Sequence, residues 1–199
     1  TLKKVLTRYP HIRRLVVVAD RGLLSLDNIQ ALSKLQEAAG RTLEFILAVP
    51  GRRYGEFVDL VQPISQQAAQ DGEEIVQEVQ WQGHRLVVAH NPRQAAQQTQ
   101  DRLSRIHALE QRAAQLTGKL DAQEAGAVQR GRKLSDSGAK ARFFHEVSDA
   151  HLARIVKVDL KSELFTYTVD EQALAQAELM DGKLLLVTNV ADMNPEQVI

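Results

Sequence analysis

The chain has 199 residues, 25 basic against 25 acidic side chains, and no cysteine. Charge balance removes any global electrostatic case for nucleic acid or a membrane surface, so local patches must carry such a claim. The missing cysteines exclude disulfides and thiolate metal sites and suit a reducing cytoplasm, and no apolar run approaches the ~20 residues that cross a bilayer.

Residues 2–9 read as a short amphipathic helix closed by Pro10. The organising stretch follows: Leu15-Val16-Val17-Val18-Ala19, then Asp20, Arg21 and Gly22. So continuous an apolar, β-branched run predicts a strand covered on both faces. Asp20 falls where that strand leaves the sheet, the edge at which open α/β sheets bind ligands. The bland alternative is an ordinary turn or N-cap aspartate. Asp27 then caps a predicted helix over 28–39, with Ile29, Leu32 and Leu35 on one face and Gly40 as its stop. A second apolar strand over 43–49 ends at Pro50-Gly51. Strand, helix and strand form a βαβ unit with parallel strands. That arrangement brings Arg52 and Arg53 towards Asp20, where arginine forks suit phosphates. Solvated loop charge is the equal alternative.

Beyond Tyr54 the pattern changes to helix and loop over 54–69, interrupted by Pro63. Alternation over 74–81 and 84–90 around Gln82-Gly83 predicts a hairpin. Asn91-Pro92 opens a long helix whose stripe runs through Thr99, Leu103, Ile106, Leu109, Ala113, Leu116 and Leu120. Packing as a helical hairpin with the next segment is expected. Residues 126–141 are glycine-rich and locally basic, with Arg130, Arg132 and Lys133, and are expected as a loop able to follow a nucleic-acid backbone, or simply a solvated one. A short helix over 143–152, a second hairpin over 155–169 around Lys161-Ser162-Glu163, and a helix over 171–179 follow. Asp181-Gly182 turns into a third apolar strand over 183–189. Asn194-Pro195-Glu196-Gln197 is a capping box whose first core residues, Val198 and Ile199, close the sequence. Both ends therefore read as cut, and the expectation is an internal piece of a longer protein.

Several chemistries are excluded by spacing. No two of the six histidines stand at i,i+4, the pairing of a helical zinc site. Neither phosphate-binding glycine motif nor a G-x-S-x-G elbow occurs. What remains is Asp20 as a ligand for a divalent cation, which one carboxylate does not hold alone. Asp181 reads as a turn residue and Asp192 as a loop residue. Trp81 is a core aromatic of the first hairpin before it is a base-stacking platform.

Val-Val-Val-Ala-Asp-Arg-Gly-Leu-Leu-Ser at 16–25 with Asn28, and Asp-Gly-Lys-Leu-Leu-Leu-Val-Thr-Asn at 181–189, resemble DDE transposases of bacterial insertion sequences. The likeness is greatest to the subgroup whose ribonuclease-H-like core is split by a long insertion. Residues 131–136 and 155–161 are similar to that subgroup too. The resemblance implies an α/β fold: a partial ribonuclease-H-like core (βαβ) over 1–50, a mixed helical and β-hairpin insertion over 51–180, and a return to the core over 181–199. It implies metal-dependent DNA cleavage and strand transfer with two Mg2+ (or Mn2+) ions held by three acids. Asp20 matches the second acid; the first would precede Thr1 and the glutamate would follow Ile199. Double-stranded DNA at transposon ends is the implied partner, with Arg21, Arg52, Arg53, Arg132 and Lys133 as candidate contacts, and the parent protein is expected as a homodimer. The piece alone is expected to be inactive. A ribonuclease-H-like nuclease without strand transfer, and a non-catalytic DNA-binding or oligomerisation module, are the competing expectations.

Overall fold

β-Branched residues favour the pleated backbone, and the first apolar run forms β1 (Arg14–Ala19). It pairs in parallel with β2 (Thr42–Ala48), from Arg14↔Thr42 to Ala19↔Leu47. The computed structural model describes residues 4, 5, 8, 9, 11–20, 29–32, 34, 42–127 and 133–199. Of the two expected helices around β1, residues 4, 5 and 8, and 29–32 and 34, are helical; Gly22, Asp27, Leu35 and Gly40 lie outside the described residues.

After β2, Pro50 leads into a 3-10 helix (Gly51–Phe57) that runs directly into α1 (Val58–Asp71). The expected break at Pro63 does not occur; α1 passes through it, losing one backbone hydrogen bond. β3 (Ile75–Trp81) and β4 (His84–His90) form the expected hairpin. Gln82 and Gly83 both have positive φ, 48° and 78°, the signature of a tight two-residue turn matched to strand twist.

This hairpin does not belong to an insertion. β7 (Lys183–Thr188) lies between β2 and β4, antiparallel to both, and the sheet order is β1-β2-β7-β4-β3. The apolar cores of β4 and β7 are buried against each other's register partners, Leu86 with Val187 and Val88 with Leu185. The chain divides into residues 1–95 with 182–199, and residues 96–181. The intervening segment thus begins at residue 96 rather than 51.

One sheet face carries Phe45, Leu47, Leu86, Val88, Leu185 and Val187, all buried. The 3-10 helix covers this face, since Phe57 packs on Trp81 at 5.1 Å. The opposite face carries Ile46, Ala48, Val87 and Leu186, packed with Val190 and Val198. Val198 belongs to α5 (Pro195–Val198), which starts with the expected capping box. β1 is an edge strand, and Val18 is 73% exposed. The expected cover on both faces is absent there among the described residues.

The second unit has its own core. α2 (Pro92–Glu124) and α3 (Asp136–Asp149) bury Ile106, Leu109, Ala113 and Leu116 with Phe143 and Val147. Leu103 in the expected stripe is exposed instead. α3 starts seven residues earlier than expected because the Ser135 side chain accepts from the Gly138 N–H, capping the helix. β5 (Val156–Val158) and β6 (Tyr167–Val169) are shorter than expected. Asp159 ends β5 by accepting from the Lys161 and Ser162 N–H groups, a turn that competes with the ladder. α4 (Glu171–Met180), capped by Asp170, completes the unit.

Candidate functional site

The candidate site is the carboxyl edge of the β1/β2 pair. Asp20 directly follows Ala19, whose partner is Leu47, so it stands level with Ala48 on β2. Side chains alternate along a strand. One step past Ala19, that alternation continues the row of Val16 and Val18, on the face of Ile46, Ala48 and Leu186. Asp20 is exposed. Its carboxylate stands at the end of β1, and carboxylate oxygens suit hard cations and hydrogen-bond donors.

The expected arginine neighbours divide. Arg52 is exposed at the β2 exit and has no ion-pair partner among the described residues. Arg53 is not beside Asp20. Its N–H bonds Pro50 O at 2.8 Å, starting the 3-10 turn. Its guanidinium grips the Glu56 carboxylate at 2.7 and 2.8 Å and lies 5.8 Å over the Trp81 ring. Trp81 is on β3, at the opposite edge of the sheet from β1. The Arg53 hydrogen bonds hold the Glu56 carboxyl below its ordinary value. Trp81 itself is buried and presents no face for a base. Arg21 and Arg132 lie outside the described residues; Lys133 is exposed.

The other acids near the core strands serve the scaffold. Asp192 accepts two bonds from Arg14, at 2.5 and 2.6 Å. Arg14 opens β1, so Asp192 sits at the end of the strand away from Asp20. Six residues of strand separate the two ends by about 20 Å. Asp181 is buried, bound by both Arg102 amino groups and by Thr99 Oγ1 at 2.7 Å. Thr188 and Asn189, which close the second resemblance motif, hold β2: Thr188 Oγ1 donates to Phe45 O at 2.6 Å, and Asn189 Oδ1 accepts from Phe45 N at 2.8 Å. Sequence spacing missed these side-chain substitutes for ladder bonds, although a Thr-Asn pair at a strand end is a usable signal.

Among the described residues, no group of three or more His, Cys, Asp or Glu side chains is placed to hold a metal ion. One strand-end carboxylate does not fit the two-ion centre that the resemblance implies. Among the described residues, no helix is long and apolar enough to cross a membrane. No family model matches the chain, and no curated protein or solved structure matches it.

Proposed function

We propose that the chain is part of a DNA transposase with a ribonuclease-H-like catalytic core, in which Asp20 supplies one of three metal-binding acids. The observation that supports this reading is an exposed aspartate directly after one of two parallel strands, within a motif, 16–25, that resembles the DDE family. On this reading the other two acids come from outside these 199 residues, and the activity is metal-dependent cleavage and strand transfer at insertion-sequence ends. Arg52 at the neighbouring strand exit is the cation best sited to meet a phosphate. Arg53, held by Glu56, supports the loop instead.

Two competing readings separate on one experiment. The complete parent protein is incubated with duplexes carrying its element ends and a target plasmid, and nicked and joined products are counted. Cleavage with joining supports the transposase. Cleavage alone makes it a nuclease, and neither product leaves a binding or oligomerisation module, a reading favoured by the separate core of residues 96–181.

A further inference from the structure

We propose that the outer edge of β1 pairs, antiparallel, with β1 of a second copy of this chain. The inference goes beyond the transposase reading and does not rest on it. Among the described residues, β1 and β3 are the two edges of the five-stranded sheet, and they differ in chemistry. An edge offers unpaired N–H and C=O groups to another strand, and charges along it discourage such pairing. The exposed positions of β3 are Glu78 and Gln80, and Glu78 is bound by Arg85 at 2.6 Å. β1 carries no polar side chain from Leu15 to Ala19. Its exposed position within that run is Val18, at 73%.

Two features select a second copy over an unrelated strand. The first is backbone direction. Arg13 O accepts from Thr42 N at 3.0 Å, so in the parallel register with β2 the odd-numbered residues turn their N–H and C=O groups to β2. Val16 and Val18 turn theirs outward, because the direction alternates along a strand. A two-fold axis at Val17 then sets Val16 opposite the partner's Val18 as a hydrogen-bonded pair, and Val17 opposite the partner's Val17 as a non-hydrogen-bonded one. The second feature is charge. The same axis sets Arg14 opposite the partner's Asp20 at both ends of the pair. The order Arg-Leu-Val-Val-Val-Ala-Asp over 14–20 is therefore complementary to itself when reversed. A parallel pair in register would instead oppose like charges. Arg14 engages Glu44 through Nε and Asp192 through both amino groups. Each amino nitrogen keeps a second N–H for a further acceptor. Val18 stands beside Ile46 in the register and gains the partner's Val16 on its open side, which extends the apolar row across the axis.

The test uses the absence of cysteine from the chain: an introduced thiol can couple only to its own copy. Val17→Cys places two thiols at the axis, where non-hydrogen-bonded partners stand about 4.5 Å apart between Cα atoms, within disulfide reach. Mild oxidation of the folded 199-residue chain carrying Val17→Cys should give a covalent dimer. Gln80→Cys, on the other sheet edge, should stay monomeric. In sedimentation equilibrium the wild-type mass should rise with concentration from 22.2 kDa towards twice that value. Val18→Lys adds a guard charge to a side chain already in solvent. It should raise the dimer dissociation constant at least about tenfold, because symmetry makes the substitution act twice. Thermal unfolding checks that each variant is folded. The proposal is overturned by a wild type that stays monomeric at every concentration, by a Val18→Lys chain that associates as strongly as wild type, or by coupling through Gln80→Cys in place of Val17→Cys. A longer parent protein in which Val17→Cys no longer couples overturns it too, and assigns the edge to a further strand of the parent itself. The cleavage and joining experiment decides the transposase reading separately from all of these outcomes.

Discussion

Arg14 and Asp192 form a two-pronged ion pair, at 2.5 and 2.6 Å, at the start of the strand that Asp20 ends. This pairing assigns the two acids different work. Asp192 ties the loop before α5 to β1, and its carboxyl is held below its ordinary value by the Arg14 hydrogen bonds. Asp20 has the strand end. On the proposed transposase reading, Asp192→Asn should therefore leave DNA cleavage by the parent protein at the wild-type level. Loss of cleavage in a folded Asp192→Asn protein would mean that Asp192 shares the site.

The turn into β7 depends on one glycine. Gly182 has φ +66°, and a Cβ there would stand 2.3 Å from Asn91 O and 2.7 Å from Ala95 N. Both atoms are backbone and cannot step aside without moving the start of α2. Gly182→Ala combines left-handed strain with this clash and should cost about 3 kcal/mol or more. Urea unfolding of the variant checks it.

Its neighbour Asp181 is buried, and Arg102 is nearly so, with side-chain exposures of 6% and 12%. Removing the cation leaves an uncompensated carboxylate in the interior. Arg102→Met should destabilise the second unit by about 3–5 kcal/mol. Thr99→Val, which removes one hydrogen bond at 2.7 Å, should cost about 1 kcal/mol. Comparison of urea midpoints for the two variants tests the ranking.

Adjacent phenylalanines on α3 give a sharper contrast. Phe143 is fully buried, with ring centroids 5.4 Å from Phe165 and 5.1 Å from Tyr167. Phe143→Ala should cost about 3–5 kcal/mol through the cavity it leaves. Phe144 is 47% exposed, and Phe144→Ala should stay within about 0.5 kcal/mol. Equal losses in denaturant unfolding would contradict the helix register.

Acid stability should carry the signature of Glu78. Hydrogen bonding to Arg85 lowers the Glu78 carboxyl from its ordinary 4.5. A depressed folded value means the stabilisation is present above about 4.5 and is lost as pH falls through the folded value. Glu78→Gln should flatten the acid limb of the urea midpoint measured from neutral pH downward. An unchanged limb would show that the pair contributes nothing in solution.

Local pattern made much of the chain legible: β1, β2, the Gln82-Gly83 hairpin, the long helix and the Asn194 capping box all follow from period, turn chemistry and caps. Long-range pairing was not legible. Nothing near residues 75–90 says that β4 will pair with a strand a hundred residues later, and so the hairpin was expected in the insertion. Likewise the apolar run of β1 does not announce an edge position with Val18 exposed. The start of α3 is hidden in sequence because the glycine-rich, basic stretch 126–141 reads as a loop, whereas Ser135 is the cap. At the candidate site, proximity in sequence suggested Arg53 as a neighbour of Asp20. The 3-10 helix instead carries Arg53 over the other sheet face to Trp81, a course set by burial of Phe57.

On the proposed function, the Asp20 carboxylate is part of a metal-dependent DNA-cleaving centre. The most direct measurement is cleavage of element-end DNA by the parent protein carrying Asp20→Ala, with folding checked by thermal unfolding. Cleavage should fall about a thousandfold or more, equivalent to roughly 4 kcal/mol of transition-state stabilisation. Wild-type cleavage by folded Asp20→Ala protein would contradict it.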